Sequence, residues 1–248
     1  MTGRRVLVTG ASRGIGAATA RRFAAAGDRV AVHYGRSGEA AEQTLASLEG
    51  TGHVLAQADL ADPAAVQAMV GAVAGQLGGI DVLVNNAGAF LPHPITDSTY
   101  EEWQQAWAQT LGVNLVGAAN VTWCAVRHMP DGGRIVNVSS RGAFRGEPGQ
   151  PAYGASKAGL IAFAQSLARA LGPRQIAVTT VAPGWVATDM AATRLAGPEG
   201  DRRRAESPLG QVATPEEVAA AILYLASPEA TMASGTVLDL NGASLLRM

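Results

Sequence analysis

Short apolar runs rich in valine and isoleucine alternate with longer alanine-rich stretches along the whole chain. Within each run, apolar residues stand at successive positions rather than at every second one, which is typical of strands covered on both faces of a sheet. The runs predict seven strands: Arg5–Thr9, Arg29–Tyr34, His53–Gln57, Ile80–Asn85, Gly133–Ser139, Ala177–Ala182 and Gly235–Asp239.

The stretches between these strands have the length and the alanine content of helices. One helix start is marked by Asp62-Pro63, a capping side chain followed by a proline whose missing N–H is not needed there. The predicted helices are Gly14–Ala26, Gly38–Glu49, Pro63–Leu77, Tyr100–Met129, Ala152–Leu171 and Pro215–Ala226. This alternation predicts an α/β fold, a doubly wound parallel sheet of seven strands with helices on both faces.

The composition fits a single domain over residues 1–248, because 48% of the 248 side chains are hydrophobic and no linker or repeat interrupts them. The formal net charge of -1 argues against nucleic acid or a membrane surface as the main partner. No stretch has the character of a signal peptide or a membrane span, so a cytoplasmic protein is expected. The single cysteine, Cys124, has apolar neighbours and is expected to be a small buried residue. The four histidines are too scattered for a metal site and are expected to be surface or packing residues.

The segment from Ala187 to Gly210 interrupts the strand–helix alternation. It contains glycines, a proline and four arginines without a clear period. Such a segment is either a lid over a substrate site or a short surface helix with loose ends, and the sequence leaves both open.

The first predicted strand leads into a glycine-rich turn that opens the first helix and reads TGASRGIG over residues 9–16. Backbone N–H groups and the helix dipole bind phosphate at such a helix start, and glycines let the ligand approach the backbone. A tight strand–helix turn also needs glycine, so the turn alone leaves a structural role open. As a dinucleotide site of the Rossmann kind, it predicts cofactor contacts at Gly10, Ser12, Arg13, Gly14, Ile15 and Gly16.

The end of the second predicted strand selects between the two nicotinamide dinucleotides. A site for NAD commonly offers a carboxylate there to the ribose 2′-hydroxyl, but none follows Tyr34 before Glu39. Arg36, Ser37 and the loop residue Arg13 can instead hold a 2′-phosphate by charge-assisted hydrogen bonds. NADP(H) is therefore the predicted cofactor, with NAD(H) less favoured; the alternative is that the arginines are solvated surface residues.

Asp59 follows the third predicted strand and is adjacent to Leu60. Its carboxylate is placed to accept a hydrogen bond from an adenine amino group, with the backbone of Leu60 nearby. A turn-forming aspartate is the alternative.

Tyr153 and Lys157 stand four residues apart in a predicted helix, which puts a phenol and an ammonium on one helix face. A phenol ionises at about pH 10, and a nearby ammonium together with a positively charged nicotinamide is expected to lower the pKa of Tyr153. Ser140 ends the fifth strand, at the sheet edge where doubly wound proteins bind ligands. Asn114, a polar residue in an apolar helical segment, indicates a structural or relay role.

Taken together, these residues resemble the short-chain dehydrogenase/reductase family. The resemblance covers nearly the whole chain, and its motifs follow the family's order: TGASRGIG, NNAG at Asn85–Gly88, Asn114, Ser140, Tyr-x-x-x-Lys at Tyr153–Lys157, and Pro183-Gly184 ahead of Thr188. The resemblance implies further cofactor contacts at Asn86, Ala87, Gly88, Tyr153, Lys157, Pro183, Gly184, Val186 and Thr188.

The resemblance also implies the catalytic roles. Tyr153 is expected to be the general acid in ketone reduction and the base in the reverse direction, and Ser140 to hydrogen-bond the carbonyl and the developing alkoxide. Lys157 is expected to bind the nicotinamide ribose and to lower the pKa of Tyr153. Asn114 is expected to hold a water that links Lys157 to solvent.

Within the family, the chain looks most like bacterial 3-oxoacyl-[acyl-carrier-protein] reductases. Two segments depart from that pattern. The segment Ala89–Asp97 is longer than in those reductases, with Trp107 rather than Trp103 at the usual separation from Asn114. The ending Asn241–Met248 lacks their usual glycine-rich sequence, so the identity of the substrate is in doubt.

Three functions remain open at this level: an NADPH-dependent reductase of a 3-oxoacyl thioester or similar ketone, an NAD(P)-dependent dehydrogenase of a sugar, polyol, steroid or other secondary alcohol, and a non-catalytic dinucleotide-binding protein. The intact Ser140, Tyr153 and Lys157 favour the first two. Six arginines either meet an acidic or phosphopantetheine-bearing substrate or are solvated: Arg141, Arg145, Arg194, Arg202, Arg203 and Arg204. The family resemblance and the long alanine-rich helices imply a homotetramer or a homodimer.

Overall fold

Seven strands form one sheet in the computed structural model, which describes residues 3–247 apart from the side chain of Met190. The strands are β1 (Arg5–Val8), β2 (Arg29–Tyr34), β3 (Val54–Gln57), β4 (Val82–Asn85), β5 (Arg134–Val138), β6 (Ala177–Pro183) and β7 (Val237–Leu240). All neighbouring pairs are parallel, and the order across the sheet is β3-β2-β1-β4-β5-β6-β7. The predicted fold class, a Rossmann-like doubly wound sheet, is confirmed.

Helices follow nearly every strand, as the alternation of the sequence predicts. They are α1 (Gly14–Ala25), α2 (Gly38–Ala46), α3 (Pro63–Leu77), α4 (Tyr100–Leu111), α5 (Ala118–Val126), α6 (Gly142–Arg145), α7 (Pro151–Ala170), α8 (Asp189–Ala192), α9 (Gly197–Ala205) and α10 (Pro215–Leu225). Within residues 3–247, no helix combines the length and the hydropathy needed to cross a membrane.

The two faces of the sheet are covered by separate apolar layers. Val6 and Val8 of β1 pack in one layer with Phe23 of α1, whereas Leu7 between them packs in the other layer with Val70 of α3. Each of these side chains is fully buried, which stabilises the fold by roughly 1.5–3 kcal/mol per large residue. The continuous apolar runs of the sequence therefore reflect burial on both faces.

The strand order reverses between β1 and β4, which are neighbours although β2 and β3 lie between them in sequence. Ligands of doubly wound sheets bind outside the carboxyl ends of the strands at such a switch point. The glycine-rich turn follows β1 and the segment Asn86–Gly88 follows β4, so both motifs border this crevice.

The stretch predicted as one helix, Tyr100–Met129, is instead two helices joined by a π-helical turn at Gly112–Gly117. In this turn the side chain of Asn114 accepts a hydrogen bond from the N–H of Ala89 at 2.7 Å and donates to the carbonyl of Ala89 at 3.0 Å. The wider turn thus brings Asn114 against the loop after β4. This contact joins residues far apart in sequence, so helical periodicity could not reveal it.

Residues 187–210, for which the sequence left a lid or a surface helix open, form α8, a 3-10 turn at Thr193–Leu195, and α9. The residue after α9, Glu206, pairs with Arg141 at 2.7 Å and with Arg145 at 3.3 Å. The segment is therefore helical and tied to the body of the domain at one end. That it acts as a lid stays a prediction.

Candidate active site

A cavity of about 1020 Å³ opens along the carboxyl ends of the central strands. This volume is large for one small molecule and suits an extended ligand with a second one beside it. Its wall holds most of the residues predicted from the sequence: Gly10, Ser12, Arg13, Gly14, Ile15, Arg36, Ser37, Asp59, Leu60, Asn86, Ala87, Gly88, Ser140, Tyr153, Lys157, Pro183, Gly184, Val186 and Thr188. The other two lie next to wall residues: Gly16 is adjacent to Gly10 and Asn86, and Asn114 is adjacent to Gly88.

The glycine-rich turn has the shape that a phosphate cradle requires. Gly10 has a φ of +63° and Gly14 a φ of +55°, a region that glycine enters without strain. A Cβ on Gly16 would lie 2.2 Å from the carbonyl oxygen of Gly10, so only glycine lets α1 start this close to the turn. The local structure thus fits a dinucleotide pyrophosphate at the start of α1.

His33 supports this turn, although the sequence reasoning gave it no role in the site. Its ring is 2% exposed, and its Nδ1 accepts a hydrogen bond from the N–H of Gly10 at 3.0 Å. The proton therefore lies on Nε2, which donates to the carbonyl of Ala58 at 3.2 Å. Burial lowers the pKa of His33 to about 4, against a smaller opposing effect of the Ala58 hydrogen bond. A neutral imidazole thus links the glycine turn to the end of β3. In the sequence, the one indication of this role was a histidine inside an apolar strand.

The NNAG segment braces the same turn from the side of β4. The amide nitrogen of Asn86 donates to the carbonyls of Thr9 and Gly10 at 2.9 and 3.0 Å. In return, the hydroxyl of Thr9 accepts from the N–H groups of Asn86 and Ala87. Asn86 therefore holds the two loops together in addition to lining the cavity.

The three residues predicted to hold a 2′-phosphate lie together at one end of the cavity. The guanidinium of Arg13 donates to the hydroxyl of Ser37 at 3.0 Å, and Arg36 lines the wall next to Ser37. Two arginines and a hydroxyl at one point fit a doubly charged phosphate. Asp59 also lines the cavity, while one of its oxygens accepts from the N–H of Ala61 at 3.0 Å, so the turn-forming role is present as well.

Ser140, Tyr153 and Lys157 meet at the ends of β5 and the start of α7. The hydroxyl of Ser140 accepts from the N–H of Gly142 at 3.0 Å and lies close enough to the phenol of Tyr153 to lower its pKa. The ammonium of Lys157 lies 5.6 Å from the centre of the Tyr153 ring and donates to the carbonyl of Val138 at 2.8 Å. The phenol, the hydroxyl and the ammonium thus share one corner of the cavity, in which Lys157 is buried and the other two residues are partly buried.

The surroundings of Tyr153 perturb its pKa. Burial raises the pKa of Tyr153 to about 12, the hydrogen bond from Ser140 opposes this, and the negative charge of Glu147 adds to it. Burial also lowers the pKa of Lys157 to about 8. Burial is thus the dominant effect on the pKa of Tyr153 in the protein by itself. The expected decrease requires a bound, positively charged nicotinamide as well as Lys157, and it stays a prediction. At neutral pH the phenol keeps its proton.

Asn114 is fully engaged within the protein. Besides its two hydrogen bonds to Ala89, its amide nitrogen donates to the hydroxyl of Ser156 at 3.0 Å, within the first turns of α7. The side chain therefore connects the loop after β4 with the helix that carries Tyr153. The relay role of Asn114 stays a prediction.

Other aromatic and charged side chains also form part of the wall, and of these the sequence analysis considered only Arg194 as a possible substrate contact. The ring of Phe90 packs edge-on against Tyr153 with 4.6 Å between centroids, and the guanidinium of Arg194 lies 4.2 Å from the Phe90 centroid. Trp185 and Glu147 also border the cavity. Phe90 and Trp185 follow the NNAG and Pro183-Gly184 motifs closely, but their contacts across the cavity are visible only in the folded chain.

Arg141 is buried and paired rather than solvated. Its side chain is 4% exposed and pairs with Glu206, and it also hydrogen-bonds Ser244 near the C-terminus. The alternative of a solvated Arg141 is therefore wrong, since its guanidinium is buried and paired with the carboxylate of Glu206. Arg141 also lines the cavity, and its contact with substrate stays a prediction.

The arginines of α9 differ among themselves. Arg203 and Arg204 donate to the carbonyls of Arg194 and Leu195 and so close the end of the preceding 3-10 turn. Arg202 is 81% exposed and pairs with a glutamate of its own helix. Of the arginines in residues 187–210, Arg194 is the one that reaches the cavity wall.

The glycine turn, the cationic end and the Ser–Tyr–Lys corner define an oxidoreductase of the dinucleotide-binding class, and comparison with known proteins narrows this class. A family model described as enoyl-(acyl carrier protein) reductase matches residues 10–242. The 3-oxoacyl-[acyl-carrier-protein] reductase FabG of Aquifex aeolicus is 38% identical over 252 residues, covering 98% of this chain and 97% of that protein. The 3beta-hydroxysteroid dehydrogenase 1 of Eggerthella lenta is 38% identical over 253 residues, covering 99% and 95%.

A solved structure supports the same class of oxidoreductase. A short chain dehydrogenase from Burkholderia cenocepacia in complex with NADP superposes with a TM-score of 0.90 and is 42% identical, covering 98% of both chains. The chain therefore belongs to the short-chain dehydrogenase/reductase family, which its motifs resemble.

Proposed function

We propose that this protein is an NADPH-dependent reductase that converts a ketone, first of all a 3-oxoacyl thioester, to a secondary alcohol. The observation that carries the proposal is a partly buried, protonated Tyr153 beside Ser140 in the same cavity as a glycine-rich turn that fits a phosphate. A proton donor beside a hydrogen-bond donor is what reduction of a carbonyl needs.

The preference for NADPH rests on the cluster of Arg13, Arg36 and Ser37. Their donors match the 2′-phosphate, the group by which NADP differs from NAD. The NADP complex of the Burkholderia relative supports the same cofactor here. When bound, the cofactor supplies the hydride that reaches the carbonyl carbon.

The chain's own residues complete the reduction at the carbonyl oxygen. Ser140 donates a hydrogen bond to this oxygen as negative charge develops on it, and Tyr153 transfers its phenolic proton to it. The phenolate that results lies near the ammonium of Lys157, which is held in place by the carbonyl of Val138. Because Lys157 is buried and Ser140 and Tyr153 are partly buried, their mutual electrostatic effects are stronger than in water.

The raised pKa of Tyr153 is consistent with its role as the proton donor in reduction. A phenol with a pKa of about 12 holds its proton at neutral pH and can give it away. Oxidation of an alcohol would first need the phenolate, which burial disfavours.

Two substrate classes have support. The Aquifex reductase, at 38% identity, supports a 3-oxoacyl thioester. The Eggerthella steroid dehydrogenase is equally similar, and the aromatic rings of Phe90 and Trp185 in the cavity wall favour a flat ring ketone as the second candidate.

The test is the oxidation of NADPH and of NADH, followed by loss of nicotinamide absorbance, with an acetoacetyl thioester and with a 3-ketosteroid. We expect faster turnover with NADPH and with the thioester. Tyr153→Phe should bind NADPH normally and lose nearly all turnover, since the ring remains and the proton does not. Turnover of this variant equal to that of the unmodified protein would refute the role of Tyr153.

We propose further that the protein is a homotetramer or a homodimer. Several large apolar side chains remain exposed on the single chain, among them Trp123 of α5 and Leu246 near the C-terminus, at 56% and 78%. Covering such residues is a common reason for association. Light scattering on the purified protein should give a multiple of the 25.3 kDa chain mass, and a monomer at micromolar concentration would contradict this part.

A further inference from the structure

We propose that His93 is a positioning residue for catalysis: it caps the helix that carries Tyr153 and fixes the loop after β4 against the start of that helix. The proposal rests on the proposed function in one respect, that Tyr153 donates the proton. His93 lies in the segment Ala89–Asp97, whose length departs from 3-oxoacyl-[acyl-carrier-protein] reductases.

The imidazole of His93 bridges two main-chain groups. It is 1% exposed, and its Nε2 accepts a hydrogen bond from the N–H of Ala152 at 3.1 Å. Its proton therefore lies on Nδ1, which donates to the carbonyl of Leu91 at 2.7 Å. The main-chain N–H of His93 donates to the carbonyl of Gly149 at 2.9 Å. Three hydrogen bonds thus order the loop and join it to the turn before α7.

The start of α7 needs an acceptor from elsewhere in the chain. The first N–H groups of a helix have no partner within it, and among the described residues the side chain of Gln150 at the N-cap makes no capping hydrogen bond. Pro151 has no N–H, and Tyr153 bonds to the carbonyl of Gln150. The N–H of Ala152 therefore needs an acceptor from outside the helix, and Nε2 of His93 is that acceptor. Such a cap cannot be recognised from the sequence next to the helix, because it comes from about sixty residues upstream.

The cap acts on the reacting group through its neighbours. Ala152 immediately precedes Tyr153, and Phe90, on the same loop as His93, packs against the Tyr153 ring. The ring of Trp103 in α4 packs against the other side of the histidine at 5.5 Å. His93 therefore sets the position of the phenol and of the aromatic wall beside it. Proton transfer needs the donor within hydrogen-bond reach, so a small displacement lowers the rate.

Three variants distinguish the effects of the two hydrogen bonds that the His93 ring makes. In His93→Gln the amide oxygen reaches the position of Nε2 and can accept from Ala152. In His93→Asn the shorter side chain can donate to Leu91 but does not reach Ala152. In His93→Phe the volume is kept and both bonds are lost. We expect His93→Gln to keep most of kcat, and the other two to lose roughly ten- to a hundredfold in kcat with the KM for NADPH unchanged.

His53 offers a matched control outside the site. Its Nδ1 accepts from the N–H of Val30 at 3.1 Å and its Nε2 bonds the carbonyl of Glu49 at 2.9 Å, the same pattern at the amino end of β3. His53→Phe is expected to leave kcat unchanged. This control would show that a decrease of kcat in the His93 variants comes from loss of the cap on α7 and not from loss of any bridging histidine.

Hydrogen exchange of the amides in Gln150–Tyr153 gives a readout that needs no substrate. We expect faster exchange in His93→Asn and His93→Phe than in His93→Gln, with and without NADPH. Equal exchange in all three would overturn the cap. Faster exchange with kcat unchanged would overturn the positioning role and leave a structural one. Full turnover by Tyr153→Phe would instead refute the proposed function, and the exchange rates would still show whether His93 caps the helix. If His93→Phe does not fold, the comparison is made between His93→Gln and His93→Asn.

Discussion

Protonation of His33 should destabilise the protein as the pH falls below neutrality. The folded protein holds the neutral ring, because Nδ1 accepts from Gly10 and Nε2 donates to Ala58. Burial lowers the pKa of His33 from 6.5 to about 4, whereas an unfolded chain restores the ordinary value. The unfolded state thus binds the extra proton first, so this contribution to stability is complete above pH 6.5 and is lost as the pH falls toward 4.

The magnitude follows from the size of the pKa difference. About two and a half units correspond to roughly 3 kcal/mol between the two pH limits. Between pH 7 and pH 5 the loss amounts to about 2 kcal/mol, since the folded protein is still mostly unprotonated at pH 5. The ring is nearly dehydrated, which is why the effect is larger than for an exposed histidine.

Urea unfolding at pH 7 and pH 5 measures this loss in the unmodified protein and in His33→Asn. The asparagine oxygen can accept from the N–H of Gly10 and does not titrate. We expect the free energy of unfolding to fall between the two pH values by about 2 kcal/mol more in the unmodified protein than in the variant. Contributions from carboxylates cancel in this comparison. The same pH-dependent loss in both proteins would refute the assignment of the neutral, Gly10-bound tautomer.

Three further predictions test other parts of the structure. Gly16→Ala should prevent NADPH binding and lower the melting temperature strongly, because the added methyl group meets a carbonyl at 2.2 Å, whereas Gly71→Ala in α3 has open space and should be neutral or stabilising. Arg36→Ala should raise the Kd for NADPH about tenfold or more in a fluorescence titration and leave the Kd for NADH nearly unchanged; an equal loss for both would contradict the 2′-phosphate site. Glu206→Gln should lower the melting temperature by several degrees and speed hydrogen exchange in α9, since it leaves the buried Arg141 without its partner; unchanged exchange would show that the pair does not hold the segment.

The local features of this protein were predictable from local sequence. Apolar runs such as Arg29–Tyr34 mark the strands because both faces of the sheet are covered. The glycine turn was predictable because positive φ angles and close backbone approach demand glycine at fixed positions. Tyr153 and Lys157 could be paired because a helix places residues four apart on one face.

Other features depend on which distant segments meet. The π-helical turn around Asn114 forms because its side chain bonds Ala89, twenty-five residues away in sequence. His33 and His93 were indistinguishable from packing histidines until their ring nitrogens met the main chain of other segments. Burial is the largest effect on the pKa of Tyr153, and the degree of burial is set by the fold.

The difference between the features predictable from sequence and those that were not has a physical cause. Periodicity and turn chemistry act within a few residues, so the sequence alone determined the strands, the glycine turn and the placement of Tyr153 and Lys157 on one helix face. Hydrogen bonding and dehydration of single polar groups depend on the groups that surround them in three dimensions. Only the tertiary structure could therefore decide which polar side chains hold the site together, and in which protonation state.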